Sequence, residues 1–371
     1  MKKSKFRGLL GLVLAIAIVI TGCGQSKEGG SNTGGADKSQ IENLPAAIAE
    51  KDIKIKVIRK IGGDDHTAQF LAGAKQEGEA LGFKVDTFSA NGDTAKFLDA
   101  LEQVVDSDYD GIIVSHAEDA AAASIIQKIR DKGIHVTAFD SVAEVGAVEG
   151  VTLTSQDDEA LAKYALDELI KQHGNEAKIV YLWVDGFPPM VRRNKVYQET
   201  LAANPGIKEL SRYGVANENT SVDTQNAVNA ILTQYPKGEI DAIFATWDAF
   251  AIGATRALIE AGRTEIKIYG IDVSNADLQI MQEENSPWAA TAAVDPKMIG
   301  AVNVRLLAKK IAGEETPATY NLEAALIQQE ALKASSEAVN MVTLADIIPG
   351  WGTTDAFETD WTKALKAANG K

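Results

Sequence analysis

The sequence is short of the residues that metal and redox sites need. Its 371 residues include one cysteine, Cys23, and four histidines. A single cysteine excludes a disulfide within the chain, and it also excludes cysteine-rich metal sites. The histidines fall on separate predicted elements without the spacing of metal ligands. We therefore expect no metal site and no bound cofactor.

Motifs of nucleotide chemistry and of nucleophilic catalysis are also missing. Neither G-x-G-x-x-G nor a Walker-type loop occurs, and the sequence shows no nucleophile-base set. Paired carboxylates are frequent in a chain with a net charge of −15, so they do not by themselves indicate a glycosidase. The same negative charge argues against nucleic acid as a partner. We expect a protein that is not an enzyme, and an exported α/β enzyme stays as an alternative.

The first residues have the pattern of an export signal. Four basic residues precede the apolar run Gly8 to Ile20, and Ile20-Thr21-Gly22-Cys23 follows. This tetrapeptide matches the bacterial lipobox, which implies a signal peptide over 1–22 and a lipid anchor on Cys23. The alternative, a membrane-spanning anchor, needs a longer apolar run. Residues 23–51 predict a flexible tether, because their first part has almost no apolar side chains.

From Ile53 onward, short β-branched apolar runs alternate with amphipathic helical segments. Repeated βαβ order predicts a parallel sheet with right-handed crossovers and helices on both faces. The pattern begins again after Val151 to Thr154. The predicted fold class is therefore α/β, with two doubly wound parallel-sheet lobes.

The segment Asp241 to Gly262 is the most informative part of this pattern. It predicts a buried strand followed by an amphipathic helix, with Thr246, Trp247 and Asp248 in the turn between them. Ligands bind beyond the carboxyl ends of parallel strands. The turn is therefore a candidate ligand site.

The same segment resembles the type I periplasmic binding proteins of the ribose-binding kind. The resemblance rests on the strand, the pair Trp247-Asp248 and the pattern A-x-G-A-x-x-A-L-x-x-A-G, and further matching pieces extend over about Asp52 to Leu332. Repressors of the lactose type share this core. A repressor, however, requires a basic helix-turn-helix ahead of the core, and this chain has a lipobox there.

The resemblance implies two lobes joined by a hinge of three chain segments. The crossings are expected near Thr154, Val294 and Asn321, so that 52–154 and 295–321 form the N-terminal lobe. The C-terminal lobe would contain 155–294 and 322–337. Residues 338–371 are expected to be an extension that packs on a lobe or on the hinge.

In the N-terminal lobe, the resemblance points to turns that follow the first and fourth strands. The first turn carries Asp64 and His66 where relatives commonly have Asn-Pro-Phe. The alternative for this turn is that Asp64 or Asp65 caps the following helix. Asp140 matches a family aspartate that binds ligand hydroxyls, whereas Ser141 replaces the arginine that often follows it.

In the C-terminal lobe, the resemblance points to three further turns. One of Arg192 and Arg193, which follow Phe187 in the same turn, is expected to contact the ligand, and the alternative is a solvated surface pair. Trp247 and Asp248 replace a common Asn-Asp pair, and the indole offers a flat face to sugar C–H groups. Asp272 matches the family turn G-[FIY]-D closely.

These features together lead to the expectation of an extracytoplasmic, lipid-anchored, monomeric solute-binding protein of an ABC importer. The expected ligand is a monosaccharide or a related polyol, bound between the lobes and delivered to the transporter permease. Asp140, Asp248 and Asp272 fit this expectation because ionised carboxylates are strong hydroxyl acceptors. Two alternatives keep the fold: a non-sugar polar solute, or a small signal presented to a membrane sensor.

Overall fold

The structure is a computed structural model that describes residues 38–371. The predicted signal peptide, the lipid-anchor residue Cys23 and the first part of the predicted tether lie outside the described residues. Within the described part of the chain, no helix has both the length and the apolar character needed to cross a bilayer.

The described residues alternate strands with helices. The strands are β1 (Lys54–Arg59), β2 (Lys84–Ser89), β3 (Gly111–Ser115), β4 (His135–Phe139), β5 (Val151–Gln156), β6 (Lys178–Leu182), β7 (Lys208–Tyr213), β8 (Ala242–Ala245), β9 (Lys267–Ile271), β10 (Trp288–Ala293), β11 (Thr319–Leu322) and β12 (Ala325–Gln328). The helices are α1 (Ala46–Ala49), α2 (Asp65–Ala80), α3 (Thr94–Val105), α4 (Ala120–Asp131), α5 (Ala143–Gly146), α6 (Asp158–His173), α7 (Pro188–Ala203), α8 (Thr220–Gln234), α9 (Asp248–Glu260), α10 (Asn275–Gln282), α11 (Pro296–Ile311), α12 (Gln329–Ala334) and α13 (Asp360–Ala368).

The strands form two six-stranded sheets, one in each lobe. The first sheet has the order β11-β5-β4-β3-β1-β2, and the second has the order β12-β10-β9-β8-β6-β7. All strand pairs are parallel except that of β10 with β12. The central strands are buried along their whole length because helices cover both faces. The predicted fold class is confirmed.

The chain passes between the sheets at three places. It leaves the first sheet after β5, comes back to it from β10 through α11, and leaves it again between β11 and β12. Helix α11 packs on α2 of the first lobe. Gly73 and Gly300 allow this close approach, since a Cβ at either position would lie within 2.5 Å of a backbone oxygen of the other helix.

The last part of the predicted tether packs instead of extending freely. Ile48 on α1 is fully buried, and Ile41 and Leu44 also contact the core of the first lobe. The expectation of a flexible segment up to residue 51 is therefore wrong for this part. Its three apolar side chains bury enough surface to offset the entropy of ordering it.

The C-terminal extension packs on both lobes in turn. Met341, Leu344 and Trp351 belong to the core of the second lobe, whereas Trp361 and Leu365 belong to the core of the first. The chain thus makes a fourth crossing between the lobes after Trp351. Gly350 and Gly352 have positive φ angles of 83° and 68°. They provide the turn that this crossing requires.

Candidate ligand-binding site

A cavity lies between the lobes, at the carboxyl ends of strands from both sheets. It contains about 680 Å³ of space between atoms, part of which is open to solvent. Seven residues that the sequence predicted for the site line it: Asp64, His66, Asp140, Phe187, Arg193, Trp247 and Asp272. The other lining residues are Arg59, Ile61, His116, Phe139, Gln156, Val184, Pro189, Met190 and Ala216.

Two predicted site residues, Arg192 and Asp248, are not among those that line the cavity. The Arg192 guanidinium lies 2.6 Å from the Asp158 carboxylate and 3.0 Å from the Asp140 carboxylate. Arg192 therefore lies outside the cavity lining, and its ion pair with Asp140 orients a residue that does line the cavity. Asp248 begins α9 and is buried beside Asp277.

Asp64 caps a helix as well as lining the cavity. Its carboxylate accepts a hydrogen bond from the backbone N–H of Thr67 at 2.5 Å, at the N-terminus of α2. The alternative that Asp64 caps the following helix is therefore confirmed. Capping does not exclude a ligand contact, because one carboxylate oxygen is not used by the cap.

The backbone is strained where strands meet the cavity. His116, Asp140 and Asp272 each follow a strand and have positive φ angles of 60°, 44° and 75°. Non-glycine residues seldom adopt this region, and such residues cluster at functional sites. With these φ angles, the three side chains point from the strand ends into the space between the lobes.

Arg193 organises the second-lobe side of the cavity. It is 2% exposed, and its guanidinium donates to the Asp158 carboxylate at 2.8 Å and to the Thr246 carbonyl at 2.6 Å. It also lies 3.2 Å from the Asp272 carboxylate. A buried guanidinium needs such partners, and here they fix the position of Asp272 before any ligand binds.

Arg59 is a cavity residue that the sequence analysis missed. It is the last residue of β1 and is 2% exposed, and its guanidinium lies over the Phe70 ring at 4.5 Å. Its Nε and Nη1 atoms have no hydrogen-bond partner. Burial lowers the pKa of Arg59 to about 10, so it remains charged at neutral pH. The protein leaves these donors available to a ligand.

Gln156 and two histidines complete the polar surface. Gln156 lies at the end of β5, and its amide donates to the Asp272 carboxylate at 3.2 Å across the hinge. Burial lowers the pKa of both His66 and His116, and the positive charge of Arg59 adds to the effect. Both imidazoles are therefore neutral at pH 7 and can donate and accept hydrogen bonds.

The buried carboxyl pair of Asp248 and Asp277 lies beside the site. Burial raises the pKa of Asp277 to about 7 and raises that of Asp248 well above its usual value. Two carboxylates this close favour sharing a proton. Among residues 38–371, no group of three or more His, Cys, Asp or Glu side chains is placed to hold a metal ion.

The two lobes touch directly across the cavity. Besides the Arg192–Asp140 ion pair, the backbone N–H of Asn275 in the second lobe donates to the Asp65 carboxylate in the first at 2.9 Å. The lobes are therefore close enough for one small ligand to contact both.

Comparison with known proteins identifies a family and several related proteins. Residues 55–315 match the family model of the periplasmic binding protein domain. The ribose import binding protein of Escherichia coli strain K12 is 25% identical over 263 residues, which is 70% of this chain and 84% of that protein.

Two solved structures are similar over most of this chain. A sugar ABC transporter protein from Yersinia enterocolitica is 51% identical with a TM-score of 0.84, covering 89% of this chain and 99% of its own. A 5-methylthioribose transporter solute-binding protein from Thermotoga lettingae, solved with 5-methylthioribose, is 31% identical with a TM-score of 0.79, covering 85% and 98%.

The family match, the relatives and the two-lobed fold agree with the resemblance stated from the turns around Trp247 and Asp272. The chain belongs to the periplasmic binding protein domain family and is a ribose-binding-protein-like protein of type I.

Proposed function

We propose that this protein is an extracytoplasmic solute-binding lipoprotein of an ABC importer. It binds a monosaccharide or a related polyol between its lobes and delivers it to the transporter permease. The observation that carries the proposal is the facing pair of hydroxyl acceptors, Asp140 from the first lobe and Asp272 from the second, in one cavity.

The cavity offers what a polyhydroxylated ligand requires. The Asp272 carboxylate can accept from hydroxyl groups, and the unpartnered donors of Arg59 suit hydroxyl or ring oxygens. Burial, together with the neighbouring Asp158, raises the pKa of Asp140 well above its usual value, so this carboxyl can accept a hydrogen bond and can donate one when protonated. Trp247 supplies a flat apolar face for C–H groups. Because the groups come from both lobes, a bound sugar stabilises the arrangement in which the lobes are close.

The relatives support the same class of ligand and the same partner. Their names describe import of ribose and transport of 5-methylthioribose, and both belong to solute-binding proteins. A role in binding rather than catalysis is supported by the relatives, which are named as binding and transporter solute-binding proteins.

A thermal-shift screen tests the binding proposal. The purified protein is heated with D-ribose, D-xylose, D-allose, xylitol, 5-methylthio-D-ribose and a set of amino acids. A ligand of the folded state raises the melting temperature as its concentration rises, and 100 times Kd adds about 2.7 kcal/mol to stability. A shift with a sugar or polyol is the expected result. Shifts with amino acids alone, or with none of these compounds, would overturn the proposal.

Two further tests address the other parts of the proposal. Mass spectrometry should recover the bound sugar unchanged after long incubation, because a binding protein does not turn it over. Replacing Cys23 by serine should move the protein from the membrane fraction to the soluble fraction. A Cys23→Ser protein that stays with the membrane would contradict lipid anchoring at this residue.

A further inference from the structure

We propose that the ligand is a small sugar that carries a short apolar substituent, such as an alkylthio group, in place of a terminal hydroxyl. This inference rests on the proposed function, because it assumes that a sugar occupies the cavity between the lobes. It deepens that function by assigning a separate apolar subsite, which we define as Val184, Phe187, Pro189, Met190 and Ala216.

The lining of the cavity changes from polar to apolar along the edge of the second sheet. Asp272 follows β9 and Trp247 follows β8, while the apolar subsite follows β6 and β7. The strand order β9-β8-β6-β7 therefore places the carboxylate at one end of the row and the apolar side chains at the other. Four of the five subsite residues follow β6, which is two strand spacings of about 4.8 Å, or roughly 10 Å, from β9. Only Ala216 follows β7.

The helix that begins at the apolar subsite lacks its usual donors. Helix α7 starts with Pro188 and Pro189, and proline has no backbone N–H group. A helix N-terminus normally offers free N–H groups to phosphate or carboxylate, and here two of them are replaced by pyrrolidine rings. Phe187 at the N-cap has no side-chain oxygen to accept a cap bond. This end of the cavity thus disfavours both an anionic group and a terminal hydroxyl.

The apolar wall is held in place by the protein itself. The Trp183 indole donates to the Met190 carbonyl at 2.8 Å, and the Met190 sulfur contacts the Thr246 hydroxyl at 3.4 Å. Pro189 and Met190 are buried, so their packing does not depend on a ligand. A sugar ring bound at Asp272 and Arg193 would leave this wall facing water, whereas an apolar substituent would cover it.

Calorimetry with a matched series of pentoses tests the inference. The probes are D-ribose, 5-methylthio-D-ribose and D-ribose 5-phosphate, which differ in covalent structure only at C5; the two substituted pentoses form only furanose rings, whereas D-ribose also forms a pyranose ring. Two buried apolar atoms should make 5-methylthio-D-ribose bind about tenfold more tightly than D-ribose. D-ribose 5-phosphate should bind most weakly of the three.

A variant pair shows whether the apolar subsite is responsible. Phe187→Asn removes a large part of the wall but supplies a favoured N-cap residue, so α7 should be retained. The affinity ratio of 5-methylthio-D-ribose to D-ribose should fall from about tenfold to near one. Val191→Asn makes the same kind of change on the exposed side of α7, outside the cavity lining, and should keep the wild-type ratio.

The outcomes separate this inference from the proposed function. Equal or tighter binding of D-ribose or D-ribose 5-phosphate would overturn the apolar substituent, while the sugar-binding function would stand. Binding of none of the three pentoses would also overturn it, and a shift with another sugar in the thermal screen would still support the proposed function. An unchanged affinity ratio in a folded Phe187→Asn protein would overturn the assignment of the subsite.

Discussion

Asp272→Asn is the most direct test of the binding site. One Asp272 oxygen accepts from the Gln156 amide at 3.2 Å and from Arg193 at 3.3 Å, and the other accepts from Arg193 at 3.2 Å. Asparagine tolerates the positive φ of 75° at this position. Alanine would be strained there and would remove one of the two carboxylates that Arg193 contacts. The amide therefore changes the charge and one acceptor while keeping the backbone and the shape.

The structure sets the size of the expected effect. A hydrogen bond to a charged acceptor contributes about 1.5 to 3 kcal/mol, so losing one to a sugar hydroxyl should weaken binding about 10- to 150-fold. Arg193 keeps its contacts with Asp158 and with the Thr246 carbonyl. The free energy of unfolding should consequently fall by only about 1 to 3 kcal/mol.

The assay is isothermal titration calorimetry with the sugar that gives the largest thermal shift, together with urea unfolding of each protein. Asp167→Asn is the matched control, because Asp167 is exposed on α6 and pairs only with Lys163. It should bind as the wild type does. A folded Asp272→Asn protein whose affinity falls less than threefold would refute the assignment of Asp272 to the ligand.

Three other substitutions follow from the same contacts. Arg59→Met should weaken sugar binding at least tenfold by calorimetry, and unchanged affinity would contradict the assignment of Arg59 to the ligand. The substitution should not lower the melting temperature, since it removes a buried charge that has no hydrogen-bonded anion. Burial raises the pKa of Asp277 from 3.8 to about 7, so wild-type stability falls as pH rises through that interval. Asp277→Asn should therefore melt above the wild type at pH 8 and close to it at pH 5, and equal melting at both would contradict the shift. Trp361→Ala should cost about 3 to 5 kcal/mol in urea unfolding because the indole is buried in the first-lobe core, and a loss below 1 kcal/mol would contradict that packing.

Most of the fold could be predicted from local pattern. The strands are short apolar runs between helices with a polar face, and parallel order follows from their alternation. The strand and the helix predicted within Asp241 to Gly262 agree with β8 (Ala242–Ala245) and α9 (Asp248–Glu260). The segment around Ile48 was missed because it is short and follows a polar, Gly- and Ser-rich stretch, although Ile41, Leu44 and Ile48 have the spacing of one helix face.

Site residues could be predicted from the sequence only where they occupy the turn at the carboxyl end of a strand. Asp140 and Asp272 end strands, and topology alone brings such residues together. Arg59 also ends a strand, but a single arginine there gives no sign that its guanidinium is buried without a partner. Asp248 lies in the turn after β8, at the start of α9, yet its side chain is buried beside Asp277. These two residues are 29 positions apart, and no local pattern contains such a contact.

The path of the C-terminal extension decides where this molecule can be labelled. Helix α13 and the segment around Ile48 both pack in the core of the first lobe, so neither is carried by the second. A donor and an acceptor dye placed on these two elements would keep a constant separation while the lobes move. A fluorescent reporter of ligand binding therefore needs one dye on the second lobe, and Val222 on α8, which is 51% exposed, offers such a position.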